Sequence, residues 1–213
     1  MAHRDVSAYF DAYARDFDAI YGHRHCGAAR LINRYLRRSM FLRYRCTIEG
    51  CHPIEGKSVI DIGCGPGHYC VALARLGAGR VVGIDFAPGM VALAAESARK
   101  AGVAEKCHFI LGDFLNLAGS ERFDYAIMMG LMDYVREPAP LIDRALAVTG
   151  TRAFISFPVR HGFLAWQRRL RYRRKTDLYM YDRKDIERLF AHLPEGRVSV
   201  EKLHRDFLVT VSC

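Results

Sequence analysis

Ser58-Val59-Ile60-Asp61-Ile62-Gly63-Cys64-Gly65-Pro66-Gly67 decides the fold. Val59, Ile60 and Ile62 make a short β-branched strand. It runs directly into glycines at three alternate positions, 63, 65 and 67. Glycine is needed where backbone turns sharply and approaches a ligand closely. His68 to Leu76 reads as the start of a helix, whose N-terminal N–H groups and dipole favour a ligand's negative end. A nucleotide-like cofactor is therefore expected on this turn.

The spacing restricts which cofactor. A dinucleotide fingerprint, G-x-G-x-x-G, needs its third glycine where this chain has His68. The frame here is Asp61-x-Gly63-x-Gly65-x-Gly67. A second strand, Arg80 to Ile84, ends at Asp85, which is placed to accept from both hydroxyls of a ribose and to repel a 2′-phosphate. A third strand, Cys107 to Leu111, ends in Gly112-Asp113-Phe114. Asp113 is placed for an adenine amino group.

These motifs, with the fourth strand Phe123-Asp124-Tyr125-Ala126-Ile127-Met128-Met129-Gly130, resemble the class I S-adenosylmethionine-dependent methyltransferases in order and spacing. The resemblance covers residues 57–158 well and the rest loosely. It implies S-adenosylmethionine as cofactor. Asp61, Gly63, Gly65, Gly67, Asp85, Phe86, Asp113, Phe114 and Met129 are the cofactor-binding candidates: the glycines for methionine and ribose, Asp85 for the ribose hydroxyls, Asp113 with Phe114 and Phe86 around adenine. The alternative of a domain for NAD or a flavin is disfavoured by the missing glycine.

The 213 residues suit one domain, and neither an apolar signal core nor a membrane-length apolar run is visible, so cytoplasmic residence is expected. Seven cysteines, an odd number, fit a reducing compartment. The net charge of +9 is segregated. Residues 24–45 hold seven arginines and no acid; residues 160–175 hold seven bases and no acid. The remaining 18 bases face 23 acids. Two local blocks suggest a site or docking face, not a basic surface throughout.

Strands and helices alternate after residue 57: strands 58–62, 80–85, 107–111, 123–129 and 151–157, helices 67–77, 88–101, 138–148 and 182–192, then two closing strands at 197–202 and 206–211. The expected fold is α/β: a doubly wound, mostly parallel seven-stranded sheet with an antiparallel last strand and a helical N-terminal lid. Residues 5–55 form that lid, 57–157 the cofactor core, 158–181 a second lid insertion, and 182–213 the last helix and hairpin. In the resembled family such lids carry acceptor specificity, and both basic blocks fall in them.

Catalytic candidates follow the fourth and fifth strands, whose carboxyl ends face the crevice. Gly130-Leu131-Met132-Asp133-Tyr134-Val135 lacks the Asn/Asp-Pro-Pro-aromatic box of family members that methylate base amines. Asp133 or Tyr134 is placed to face the acceptor. His161 is the first choice of general base, since imidazole changes charge in the range enzymes work in. Arg160 is a candidate for an acceptor carboxylate or phosphate; Tyr13 and Tyr21 of the first helix, and Trp166 of the second lid, complete the acceptor candidates. His23, His25, Cys26, Cys46, Cys51 and His52 match no common zinc spacing, and no metal is expected.

The implied activity is methyl transfer to a small, anionic or amphipathic acceptor. The opening Val6–Asp11 and Ser156-Phe157-Pro158 faintly resemble magnesium-protoporphyrin O-methyltransferases, and quinone acceptors fit as well. RNA methylation is the rival, favoured by charge and disfavoured by the missing amine box, so nucleic acid is not expected as partner. A cofactor-binding protein without catalysis is the rival from another class. The basic segments with Phe163, Leu164, Trp166 and Leu170 leave peripheral contact with an anionic membrane open. Reversing Arg168, Arg169 and Arg171 to glutamate is then expected to spare the cofactor and abolish acceptor or surface binding.

Overall fold

A computed structural model describes residues 38–117, 121–172 and 177–213. Helix α1 (Arg38–Gly50) precedes β1 (Ser58–Ile62), α2 (His68–Arg75), β2 (Arg80–Asp85), α3 (Pro88–Lys100) and β3 (Cys107–Leu111). After a 3₁₀ turn at Phe114–Asn116 come β4 (Phe123–Met128), α4 (Pro138–Ala147), β5 (Thr149–Pro158), α5 (Phe163–Tyr172), α6 (Arg183–Leu189), β6 (Val198–Leu203) and β7 (Asp206–Ser212). The sheet order is β3-β2-β1-β4-β5-β7-β6. Strands β1 to β5 pair in parallel, while β7 pairs antiparallel with both β5 and β6. The chain reverses its winding between β1 and β4, which opens a crevice at the carboxyl ends of these two strands.

Alternate residues of the central strands point to opposite faces and build two cores. Ile60, Ile62, Val82, Ile84, Met128 and Ile155 pack with Leu141 and Ile142 of α4 and Ile186 of α6. Val59, Val81, Tyr125, Ile127 and Phe154 pack on the other face with Leu73 and Ala74 of α2. Both faces are covered, so the strands read as continuous apolar runs.

The sheet and the helices of residues 57–157 agree with the sequence to within two residues at their ends. Helix α6 begins in a capping box: Asp182 accepts from the Asp185 N–H and Asp185 accepts from the Asp182 N–H, both at 2.9 Å. Helix α1 runs to Gly50, with Leu42, Cys46 and Ile48 packed on the second core. The second lid contains a helix, α5. Tyr13, Tyr21 and most of the first basic block lie outside the described residues. Among the described residues six cysteines are free thiols, and no helix is long and apolar enough to cross a membrane.

Candidate active site

The loop between β1 and α2 is held by backbone bonds and by one carboxylate. The N–H groups of Gly63 and Cys64 donate to the Ile84 carbonyl at 2.8 and 3.0 Å, tying the loop to the end of β2. Gly63, Gly65 and Gly67 take φ of 73°, 52° and 77°, the left-handed region that favours glycine. Their surroundings differ. A Cβ at Gly67 would meet Ala94 of α3 at 3.0 Å, so this glycine lets two helices close up. A Cβ at Gly65 would meet nothing within 4 Å and would project into open space. Gly65 is thus the position at which backbone lies bare to a ligand. Helix α2 starts without a side-chain cap, Gly67 occupying that position.

Asp85 is buried at the tip of β2 and joins this loop. Its Oδ2 accepts from Gly65 N–H and its Oδ1 from Ala87 N–H, each at 2.9 Å. The carboxylate therefore fixes the bare glycine as well as offering acceptor capacity to a ligand. Asp61 is buried beside the loop and accepts from the Cys70 thiol at 3.4 Å. Burial pushes its carboxyl up to about 7, against the lowering effect of that thiol. Near neutral pH it is poised between its two states, and a cationic group arriving nearby would favour ionisation.

The adenine candidates separate. Asp113 caps the 3₁₀ turn, accepting from the Leu115 N–H at 3.0 Å and the Asn116 amide at 3.3 Å. Phe86 is half-buried. Phe114 is only 6% exposed and turns into the core beneath the Arg144 guanidinium, 5.4 Å from the ring centroid. The short turn sends Phe114 inward and its neighbour Leu115 outward. Little of the Phe114 ring is exposed, so most of its side chain serves the core. Met129 is half-buried at the end of β4, its sulfur 4.0 Å from the Thr47 hydroxyl of α1.

The segments after β4 and β5 are joined by a buried cluster of charges that the motifs did not reveal. Arg168 of α5 donates to Asp133, just after β4, and pairs with Asp206 at the start of β7 at 3.1 Å. Arg43 of α1 lies 3.4 Å from Asp206 and donates to the Ser156 hydroxyl at 3.0 Å. Ser156 also accepts from the Gly130 N–H at 2.8 Å. One network thus joins both lids to the ends of β4, β5 and β7. Burial pushes Asp206 up, but Arg43 and Arg168 outweigh it and hold its carboxyl below the usual range. At Asp133 burial prevails over the pull of Arg168, and Oδ1 has no hydrogen-bond partner among the described residues.

Other candidates find different roles. Arg160 does not face the crevice unpaired; it is bound to Asp182 at 3.0 Å, to Asp185, and to the Met180 carbonyl at 3.1 Å, pinning β5 to the start of α6. Three of its five N–H donors are thereby engaged, one on each nitrogen. Trp166 is 60% exposed on the side of α5 opposite Arg168, away from the buried network. Arg168 is internal, and reversing it together with Arg169 and Arg171 would break the fold instead of testing a surface. His161 is exposed between β5 and α5, and Tyr134 is half-buried after β4. Among the described residues no group of three His, Cys, Asp or Glu side chains could hold a metal ion.

Residues 54–157 match a family model described as a methyltransferase domain. The ubiquinone biosynthesis O-methyltransferase of Dinoroseobacter shibae is 34% identical over 104 residues, 49% of this chain and 41% of that protein. The ribosomal protein L11 methyltransferase of Klebsiella pneumoniae is 35% identical over 97 residues, 46% of this chain and 32% of the relative. The chain spans less than half the length of these curated relatives. The crystal structure of magnesium protoporphyrin IX methyltransferase from Synechocystis PCC 6803 with bound SAH superposes with a TM-score of 0.76 at 20% identity, covering 97% of both chains. That likeness is one of fold. The glycine loop, Asp85 and the sheet order agree with that match: residues 54–157 of this chain are similar to a methyltransferase domain in sequence and fold.

Proposed function

We propose that this chain methylates a small, anionic or amphipathic molecule held between its two lids. The observation that carries the cofactor half is the bare backbone at Gly65 fixed over the Asp85 carboxylate. The acceptor half draws support from the likeness to magnesium protoporphyrin IX methyltransferase, which extends over both lids, and from the ubiquinone biosynthesis relative. Both names belong to small-molecule pathways.

Bound S-adenosylmethionine supplies a methyl group on a sulfonium, a leaving group that needs neither acid nor metal. What remains for the protein is orientation and proton removal. Holding an acceptor oxygen in line at about 3 Å can supply several kcal/mol. Gly63 to Gly67 and Asp85 would hold one partner, and the ends of β4 and β5 the other. His161 would take the proton of an acceptor hydroxyl. Asp133 is less suited, because its carboxylate is engaged by Arg168.

RNA methylation loses part of its motive. Arg43, Arg160 and Arg168, three of the fourteen bases in the two basic blocks, are spent on internal acids. The test is release of S-adenosylhomocysteine from S-adenosylmethionine in the presence of phenols and aromatic carboxylates, or of total RNA, over a range of salt. Release with a small molecule at a rate insensitive to salt is expected. Release only with RNA, falling steeply as salt rises through loss of counterion release, would overturn the acceptor assignment.

A further inference from the structure

Helix α5 has two faces of opposite character. Its inner face carries Ala165, buried, and Arg168, bound to Asp133 and Asp206. Its outer face carries Phe163, Trp166 and Leu170, which are 74%, 60% and 56% exposed. These positions fall one turn apart along a single stripe of the helix. The Phe163 and Trp166 rings stack on each other, centroids 5.9 Å apart at an interplanar angle of 28°. Large apolar side chains scattered singly on a surface need no explanation, but three adjacent on one helix face mark an interaction surface.

The occupant of that surface is set by charge. Between residues 160 and 176 there is no acidic residue. Two of the seven bases in this stretch, Arg160 and Arg168, are neutralised internally. Arg169 is exposed beside the aromatic stripe, and the sequence continues with Arg171, Arg173, Arg174 and Lys175. An apolar stripe containing tryptophan with a basic flank matches the interface of an anionic bilayer: the rings enter the headgroup boundary and the bases remain among lipid phosphates. The inner ion pairs hold the helix on the protein while its outer face is presented.

We infer that the outer face of α5 docks this protein on an anionic lipid surface, through Phe163, Trp166 and Leu170 with Arg169 alongside. This deepens the proposed reading of an amphipathic acceptor, since α5 leaves the end of β5 at the mouth of the crevice. The lipid contact is independent of methyl transfer and can fail without it.

The chain's one tryptophan is Trp166, so the wild-type protein carries its own reporter. Vesicles of phosphatidylcholine mixed with phosphatidylglycerol are expected to shift its emission to shorter wavelength and to sediment the protein. Pure phosphatidylcholine and high salt should weaken both effects, because exposed charges are screened. The double variant Phe163→Ser/Leu170→Ser should need at least about tenfold more mixed lipid for half-binding. Its affinity for S-adenosylmethionine, measured by calorimetry, should stay at the wild-type value and certify the fold. Unchanged tryptophan emission with the mixed vesicles at low salt would overturn the inference. So would wild-type lipid binding by the double variant, or a blue-shifted Trp166 explained by concentration-dependent self-association without lipid.

Discussion

Arg168→Ala is expected to lower the unfolding free energy by about 3–5 kcal/mol, the cost of removing one partner from a buried ion pair. Asp133 and Asp206 are both almost wholly buried, and Arg168 contacts each of them. Arg43 lies against Asp206, so that carboxylate keeps one cation. Asp133 would keep no ion pair among the described residues, only the longer-range pull of Arg43 and Arg205, and one of its oxygens already has no hydrogen-bond partner among them. A loss of this size is a large part of the roughly 5–15 kcal/mol that holds a typical protein folded. The neighbouring Arg169→Ala, on an exposed side chain, should change stability by no more than about 0.5 kcal/mol. Arg168→Lys should fall between them, since an ammonium cannot reproduce the planar fork that reaches two carboxylates. Adding Asp133→Asn to Arg168→Ala should recover part of the loss by removing the stranded charge. Urea titrations of the four variants measure all of this. Equal midpoints for Arg168→Ala and Arg169→Ala would show that the cluster contributes nothing to holding the lids.

His161→Ala is expected to reduce turnover of a hydroxyl acceptor by about 10²–10⁴-fold, the usual contribution of a positioned base. The residue follows β5, whose carboxyl end borders the crevice, and its side chain is exposed. It takes no part in the glycine loop, so affinity for S-adenosylmethionine should be unchanged. Asp133→Asn should behave differently, lowering stability and turnover together, because Asp133 secures α5 through Arg168. A His161→Ala enzyme that turns over at the wild-type rate removes His161 from the mechanism.

The cofactor half was legible because its chemistry is local. Three glycines at alternate positions after a β-branched strand permit few backbone paths, and all three do take left-handed φ values. Asp85 at the end of the next strand lands on Gly65 because β1 and β2 pair in parallel, with Ile62 beside Ile84. The parallel pairing of β1 to β5 followed from the alternation of strands and helices. The lids were less legible, and the reason is visible in two adjacent residues. Arg168 and Arg169 are identical in sequence, yet one is buried in an ion network and the other faces solvent. What distinguishes them is Asp133, 35 positions earlier, and Asp206, 38 positions later, and no spacing rule connects the three. The pairing of Arg160 was hidden for the same reason, its partners Asp182 and Asp185 being brought to it by α6. Phe114 shows the same limit on a smaller scale: a single 3₁₀ turn decides which of two adjacent apolar side chains looks outward. Asp133 stood out in the sequence only as a catalytic candidate, and Asp206 only as an acid opening a mainly apolar strand.

Binding of S-adenosylmethionine to the glycine loop over Asp85 is the claim on which the rest depends, and titration calorimetry of the purified chain tests it most directly. The wild-type protein should bind S-adenosylmethionine and S-adenosylhomocysteine and show no heat with NADP. Asp85→Ala should weaken that binding by about 1.5–3 kcal/mol, the scale of a hydrogen bond to a charged group. Binding of NAD(H) with no affinity for S-adenosylmethionine, or an Asp85→Ala protein with the wild-type dissociation constant, would contradict the account.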